Sequence, residues 1–251
     1  MPTPFTHLLA APALLDATDI PPTARQRLAA EWPAFLLGNI APDVQTISGQ
    51  TREATHFFPV PLDDAPPAHT VMFARYPALA RPHRLPAAQM AFLAGYLAHL
   101  AFDQLWIAEI FAPVFGPEQT WASFGERLYL HNALRAWVDA VDVAQLPAPL
   151  GPALHTARPE QWLPFVQDDD LARWRDRVAD QLAPGAVSHT IAVFAERMNA
   201  DPHAFAALVN SLGEMDGRVF VHVSREQLAR YRTLALAESA QLIRDYWDEK
   251  F

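Results

Sequence analysis

A chain of 251 residues with 51% apolar side chains has the material for a sizeable core, and its formal net charge of -9 excludes broad electrostatic capture of a nucleic-acid backbone. The absence of cysteine excludes disulfides, thiolate metal sites and Cys nucleophiles, so any metal must be held by nitrogen and oxygen ligands. The opening Met1-Pro-Thr-Pro-Phe-Thr-His7 lacks the basic segment, apolar run and small-residue cleavage site of a secretory signal, and a cytoplasmic location is the expectation.

Thr3 followed by Pro4 predicts a helix start, and the helix runs over residues 3–15 with His7 in its second turn. Residues 16–21 form a break. A second helix is predicted over residues 22–37, with Ala24, Leu28, Trp32 and Phe35 on one face and a bend at Pro33. Gly38 ends it in the usual C-terminal position of a glycine, and Asp43 follows in an Ala-Pro-Asp loop. Residues 47–59 read as a loop or short helix dense in polar groups, among them Gln50, Arg52, Glu53 and His56. The proline-rich residues 60–86 read as a covering segment with one short helix near residues 71–79.

Residues 91–106 carry the pattern around which the rest is organised. They favour helix, and at about 3.6 residues per turn His99 and Asp103 lie one above the other on the same face, where an imidazole and a carboxylate can grip one divalent ion. The apolar neighbours Leu93, Leu97, Leu100, Phe102 and Trp106 predict a buried helix, in which a charged Asp needs a partner. A plain His–Asp hydrogen bond in the core is the alternative. The region from 87 to 115 is interrupted by His99, Asp103, Gln104 and Glu109, which argues against a transmembrane segment.

Residues 121–141 again show helical spacing and carry His131 and Arg135. Pro147, Pro149, Pro152, Pro159 and Pro164 mark residues 146–164 as a connection. Residues 165–251 read as three or four helices, with an acidic helix start at Asp168, Asp169 and Asp170, a short extended stretch at 219–223, and a capping box from Ser224 to Gln227. The expected organisation is a metal-binding helical core over 1–145, the connection over 146–164, and C-terminal helices packed on the core over 165–251. Oligomeric state is not encoded in any pattern found.

Five groups stand out: His7, Asp43 at the end of Gly38-Asn-Ile-Ala-Pro-Asp43, His56 after Thr55, and the pair in Gly95-Tyr-Leu-Ala-His99-Leu-Ala-Phe-Asp103. Their order and approximate spacing resemble the zinc-dependent phospholipase C family, which shares its fold with the single-strand-specific zinc nucleases; the resemblance covers roughly residues 1–140. It implies an all-α fold of phospholipase C and zinc nuclease type with additional C-terminal helices. It also implies that Asp43, His56, His99 and Asp103 surround one metal, with Asp103 bridging to a second that His7 also binds. Zinc, two ions, is the cofactor so implied, with manganese or iron as alternatives. The implied activity is hydrolysis of phosphoric esters by a metal-activated water, Asp43 serving as general base, on a small phosphorylated substrate or a phospholipid.

The sequence departs from the family in two places. Family members commonly use their mature amino-terminal residue as a further ligand, whereas this chain begins Met-Pro and shows no leader. The positions of a third family metal carry Glu109, His131 and Arg135 here, and Arg135 is expected to pair with Glu109 and replace part of the lost cation's charge. A helix histidine bonded to backbone or water is the plain alternative for His131. Gln50, Arg52 and Glu53 are candidate substrate-binding residues. Glu53-Ala-Thr-His56 also matches one half of a di-iron carboxylate site, without a second half elsewhere. Besides a hydrolase, the same ligands would suit a non-catalytic helical protein with a structural or vestigial metal.

Overall fold

A computed structural model describes residues 1–62 and 64–251, and the described residues form helices and turns with no strand. Pro4, in the first turn where a missing N–H is harmless, opens α1 (Pro4–Asp16); Thr3 stands at the N-cap, though its hydroxyl makes no capping bond. The predicted second helix is two, α2 (Pro22–Ala30) and α3 (Trp32–Ile40). Glu31 breaks the run with φ -105° and ψ 35°, which puts Pro33 in the first turn of α3 instead of inside a bent helix. A 3₁₀ turn, Ala41–Val44, then carries Asp43. The one-turn α4 (Gln45–Ser48) and α5 (Arg52–His56) follow, and α6 (Ala68–Arg75) lies in the covering segment.

The central α7 (Ala87–Trp106) continues as a wider π-helical stretch over Ile107–Phe115. This combined helix is long and apolar enough to cross a membrane, contrary to the expectation from its polar residues, yet 89% of its apolar window is buried inside the fold. Next come α8 (Phe124–Val143) and α9 (Leu150–His155), the latter inside the proline-rich connection, with Leu150 and Leu154 buried in the core. The last third holds five helices instead of three or four: α10 (Asp168–Asp180), α11 (Thr190–Met198), α12 (Pro202–Asn210), α13 (Leu212–Arg218) and α14 (Arg225–Trp247). Residues 219–223, expected to be extended, are a turn between α13 and α14. Ser224 caps α14, its hydroxyl accepting from Gln227 N at 3.1 Å.

Two apolar clusters organise these helices. One gathers α1, α2, α3, α6, α9, α10, most of α7 and the end of α14; the other gathers the end of α7, α8, α11, α12, α13 and the start of α14. Two glycines set the closest contact between helices. Gly38 was expected as a helix stop, but α3 runs on to Ile40, and a Cβ at Gly38 would lie 1.9 Å from the Phe92 carbonyl oxygen of α7. Gly95 answers it from α7, where a Cβ would lie 2.3 Å from the Phe35 carbonyl oxygen. Bare backbone on both sides lets α3 and α7 touch, which no other residue type would permit.

Candidate metal centre

The close α3–α7 contact brings the Asn39 carbonyl within 2.8 Å of His99 Nδ1, which must therefore donate to it and leave Nε2 as the ligating atom. Asn39 is itself fixed, its Nδ2 donating to the Phe35 carbonyl at 2.9 Å. One turn further along α7, Asp103 points to the same side, with Oδ2 3.8 Å from His99 Nε2. From α1, His7 lays its ring on that of His99 at 3.8 Å between centroids and brings Nε2 to 3.5 Å from Asp103 Oδ1. The rotation of α1 is set next door: Thr6 Oγ1 donates to buried Asp142 of α8 at 2.6 Å, and Arg232 of α14 holds the other oxygen of Asp142.

His56 ends α5. Its Nδ1 faces the Thr55 hydroxyl at 3.0 Å and the Arg52 carbonyl at 3.3 Å, which turns Nε2 toward Asp103 Oδ2 at 3.3 Å and Asp43 Oδ1 at 3.7 Å. The helix stops there because Phe57 adopts a left-handed backbone, φ 63°, and sends Phe57 and Phe58 into the core. Tyr96 of α7 ties this turn down by donating its hydroxyl to the Thr55 carbonyl.

His7, Asp43, His56, His99 and Asp103, drawn from four separate stretches, thus share one small volume. Within it His7, His99 and Asp103, and likewise Asp43, His56 and His99, present ligand atoms that all lie within 4.8 Å of one another. A zinc ion with bonds of about 2.0–2.2 Å separates tetrahedral ligands by roughly 3.4 Å, close to the 3.3 to 3.8 Å spacings found here. Buried His56 Nε2, His99 Nε2, both ring nitrogens of His7 and Asp103 Oδ1 have no hydrogen-bond partner among the described residues. Orphaned polar atoms of this kind cost about 1–3 kcal/mol each, and a bound cation would satisfy them together. The donor set, neutral imidazole plus carboxylate, fits zinc. His99 offers one lone pair and can serve one ion only; Asp103, with two oxygens, is the group able to bridge two.

The protonation states agree with ligation. Burial, with His7 adding to it, brings His99 down to about 3 and holds it neutral. Burial would raise Asp103, but His99 and the neighbouring His56 and His7 imidazoles keep its carboxyl well below the usual range. Asp43 also lies below its ordinary value, burial being outweighed by the neighbouring His56 and His99 rings. His56 is raised because the neighbouring Asp103 and Asp43 carboxylates outweigh burial, and a cation entering between them would compete with a proton there.

The other sequence candidates are placed differently. Arg52 does reach the site: Nη2 donates to Asp103 Oδ2 at 2.9 Å and the guanidinium lies over the Phe58 ring. Gln50 turns away and donates to the Phe165 carbonyl at 2.7 Å, and Glu53 is exposed on the outer side of α5. The expected Arg135–Glu109 pair is absent. Arg135 donates Nε to the Met1 carbonyl and Nη1 to Asn132 Oδ1 and covers the Phe194 ring, while the Glu109 carboxylate meets Arg230 at 3.5 Å. Their register was inferred from the family's metal, and the π-helical stretch that carries Glu109 meets α14 instead. His131 is buried, accepts from Trp106 Nε1 at 3.2 Å, and is packed by Phe111 and Phe115. Glu109, His131 and Arg135 do not form one site.

Sequence reasoning missed Asn39, whose carbonyl orients His99 across 60 residues, and an open cleft of about 400 Å³ that Asp43 and Arg52 line. No short-range pattern announces either one. Comparison with family models, curated proteins and solved structures returns no match.

Proposed function

We propose that this protein is a metal-dependent hydrolase of phosphoric esters, of the zinc-dependent phospholipase C kind that its ligand order resembles. The observation that carries the reading is the set of buried, unpartnered ligand atoms on His7, His56, His99 and Asp103 converging beside a cleft. His56, His99, Asp103 and Asp43 would hold one ion, and His7 with the second oxygen of Asp103 another. Divalent ions at such a centre supply Lewis acidity, lowering the pKa of water and offsetting charge on phosphoryl oxygens.

The chain's own residues divide the remaining work. The Asn39 carbonyl holds the His99 ring, while Thr55 and the Arg52 carbonyl hold His56. Asp43 is the ligand on the cleft side, and its ionised carboxylate can orient and accept a proton from water entering there. Arg52, fixed by Asp103, offers a delocalised cation to a phosphoryl oxygen in the same cleft. That opening favours catalysis over a structural metal, because structural zinc sites are closed and catalytic ones keep a position accessible.

Metal analysis of the purified protein, followed by hydrolysis of bis(4-nitrophenyl) phosphate with and without chelator, tests the reading. Bound zinc, manganese or iron, turnover lost on chelation, and loss of both in Asp103→Ala are expected. A protein that neither retains nor takes up these ions, or whose turnover ignores the chelator, overturns it.

A further inference from the structure

The cleft beside Asp43 is unlike the rest of the molecule in charge. The chain as a whole carries -9, yet Arg52, Arg135, Arg177 and Arg197 all line this one cavity, and Asp43 is the only acidic residue among them. Arg52 is committed to Asp103, and Arg135 to the Met1 carbonyl and Asn132. Arg177 of α10 and Arg197 of α11 are exposed at the mouth and make no ion pair or side-chain hydrogen bond among the described residues. Arg25, Arg27, Arg81 and Arg84 are likewise without an ion pair or side-chain hydrogen bond among the described residues, but they do not line this cavity; what sets Arg177 and Arg197 apart is their place in one concave site. Two unmatched guanidinium groups lining one concave site suit an anion, by hydrogen bonding and by the focused potential of the cleft.

The same cavity is also lined by apolar surface: Trp174 and Val178 of α10, Val193 and Phe194 of α11, and Ile47. The volume, about 400 Å³, is that of a small-molecule pocket. We infer that Arg177 and Arg197 form a second anion subsite, so that the preferred ligand is a phosphate ester bearing another anionic group, carboxylate or phosphate, at the far end of a compact apolar body. This deepens the hydrolase reading and rests on it for the placement of the scissile phosphate at Asp43 and Arg52. A soluble ester and the headgroup of an anionic lipid share this chemistry.

Phenylphosphonate and 4-phosphonobenzoate are a matched, non-hydrolysable pair differing by one carboxylate across a benzene ring. Calorimetry on the full chain, as purified and after chelation, is expected to show 4-phosphonobenzoate binding at least tenfold more tightly, about 1.4 kcal/mol, with the preference shrinking as salt is raised. The double variant Arg177→Gln/Arg197→Gln should bind both compounds alike, with phenylphosphonate affinity within twofold of the wild type. Both positions are exposed, and an unchanged melting temperature certifies the variant. Equal affinity in the wild type, or a preference that survives in the variant, overturns the subsite. Sedimentation with phosphatidylcholine vesicles containing phosphatidic acid identifies the source: arginine-dependent binding assigns the anion to a lipid headgroup, and its absence beside a retained 4-phosphonobenzoate preference assigns it to a soluble ester. Because the phosphonates report binding and not turnover, failure of the hydrolase assay leaves this result standing, and the reverse.

Discussion

Replacing Gly95 by Ala sets two effects of opposite sign against each other. In a helix interior Ala is favoured over Gly by about 1 kcal/mol, so propensity alone predicts a more stable protein. The new Cβ would lie 2.3 Å from the Phe35 carbonyl oxygen and 2.8 Å from Asn39 N, where ordinary contact begins near 3.4 Å. Since both obstacles are backbone of α3, relief requires the two helices to part by roughly 1 Å, an overpacking that costs about 1–3 kcal/mol. Parting them also draws the Asn39 carbonyl away from His99 Nδ1, with about 1 kcal/mol lost from that buried hydrogen bond. The net expectation is a loss of about 2 kcal/mol, or a melting temperature lower by roughly 4–8 °C for a chain of this size. Thermal unfolding with metal analysis of the same samples reads both consequences, and bound metal should fall as His99 loses its orientation. Gly217→Ala is the control: it lies in α13 with nothing within 4 Å of the added carbon and should raise the melting temperature. A Gly95→Ala protein that melts at or above the wild type with its metal intact refutes the close-contact argument.

Three further outcomes are expected. Chelation should lower the melting temperature, since an ion present at a thousand times its dissociation constant contributes about 4 kcal/mol; identical melting with and without chelator counts against the centre. Asp142→Ala strips Thr6 and Arg232 of a buried shared partner and should destabilise by about 2–3 kcal/mol in urea titration, whereas a loss under about 0.5 kcal/mol would show that this network does not hold α1 in place. Burial pushes the carboxyl of Asp139 above its ordinary value, although the nearby Thr3 hydroxyl and the hydrogen bond from Ser188 oppose it. The folded state therefore binds that proton more tightly than the unfolded state, and the contribution present below about pH 4 is lost as pH rises through the folded pKa. Asp139→Asn cannot ionise, so its melting temperature relative to the wild type should improve between pH 4 and pH 7; a constant difference across that range would contradict the raised pKa.

How much of this was legible in the sequence depends on the distance over which each feature is decided. The His99–Asp103 pair required only helical periodicity, because residues four apart on one helix are neighbours whatever surrounds them. The helix start at Pro4 and the Ser224 cap are equally local, whereas the proline at 33, read as a bend, instead opens a new helix. Gly38 shows where local rules stop. A glycine near a helix end reads as a stop, but here its lack of a side chain is used by the Phe92 carbonyl of a helix more than fifty residues away. The juxtaposition of His7, Asp43 and His56 with α7 likewise had no local signal and came only from the resemblance. The expected pairing of Glu109 with Arg135 failed because their partners, Arg230 and the Met1 carbonyl, come from segments that the spacing of the two positions does not specify.

The cleft carries this argument one step further. It is lined by the start of α1, the Asp43 turn and Arg52 from the first third of the chain, by Arg135 of α8, and by α10 and α11 from the last third. On the proposed reading, chemistry and selectivity are then written in different parts of the chain. Substitution at Arg177 or Arg197 would change which ester is held while leaving every ligand atom in place. Substitution at Asn39 or Gly95 would disturb the ligands while leaving α10 and α11 untouched. A ligand preference that moved with Asn39 as strongly as with Arg177 would mean that the two sides are one mechanical unit, and the division by helix would have to be abandoned.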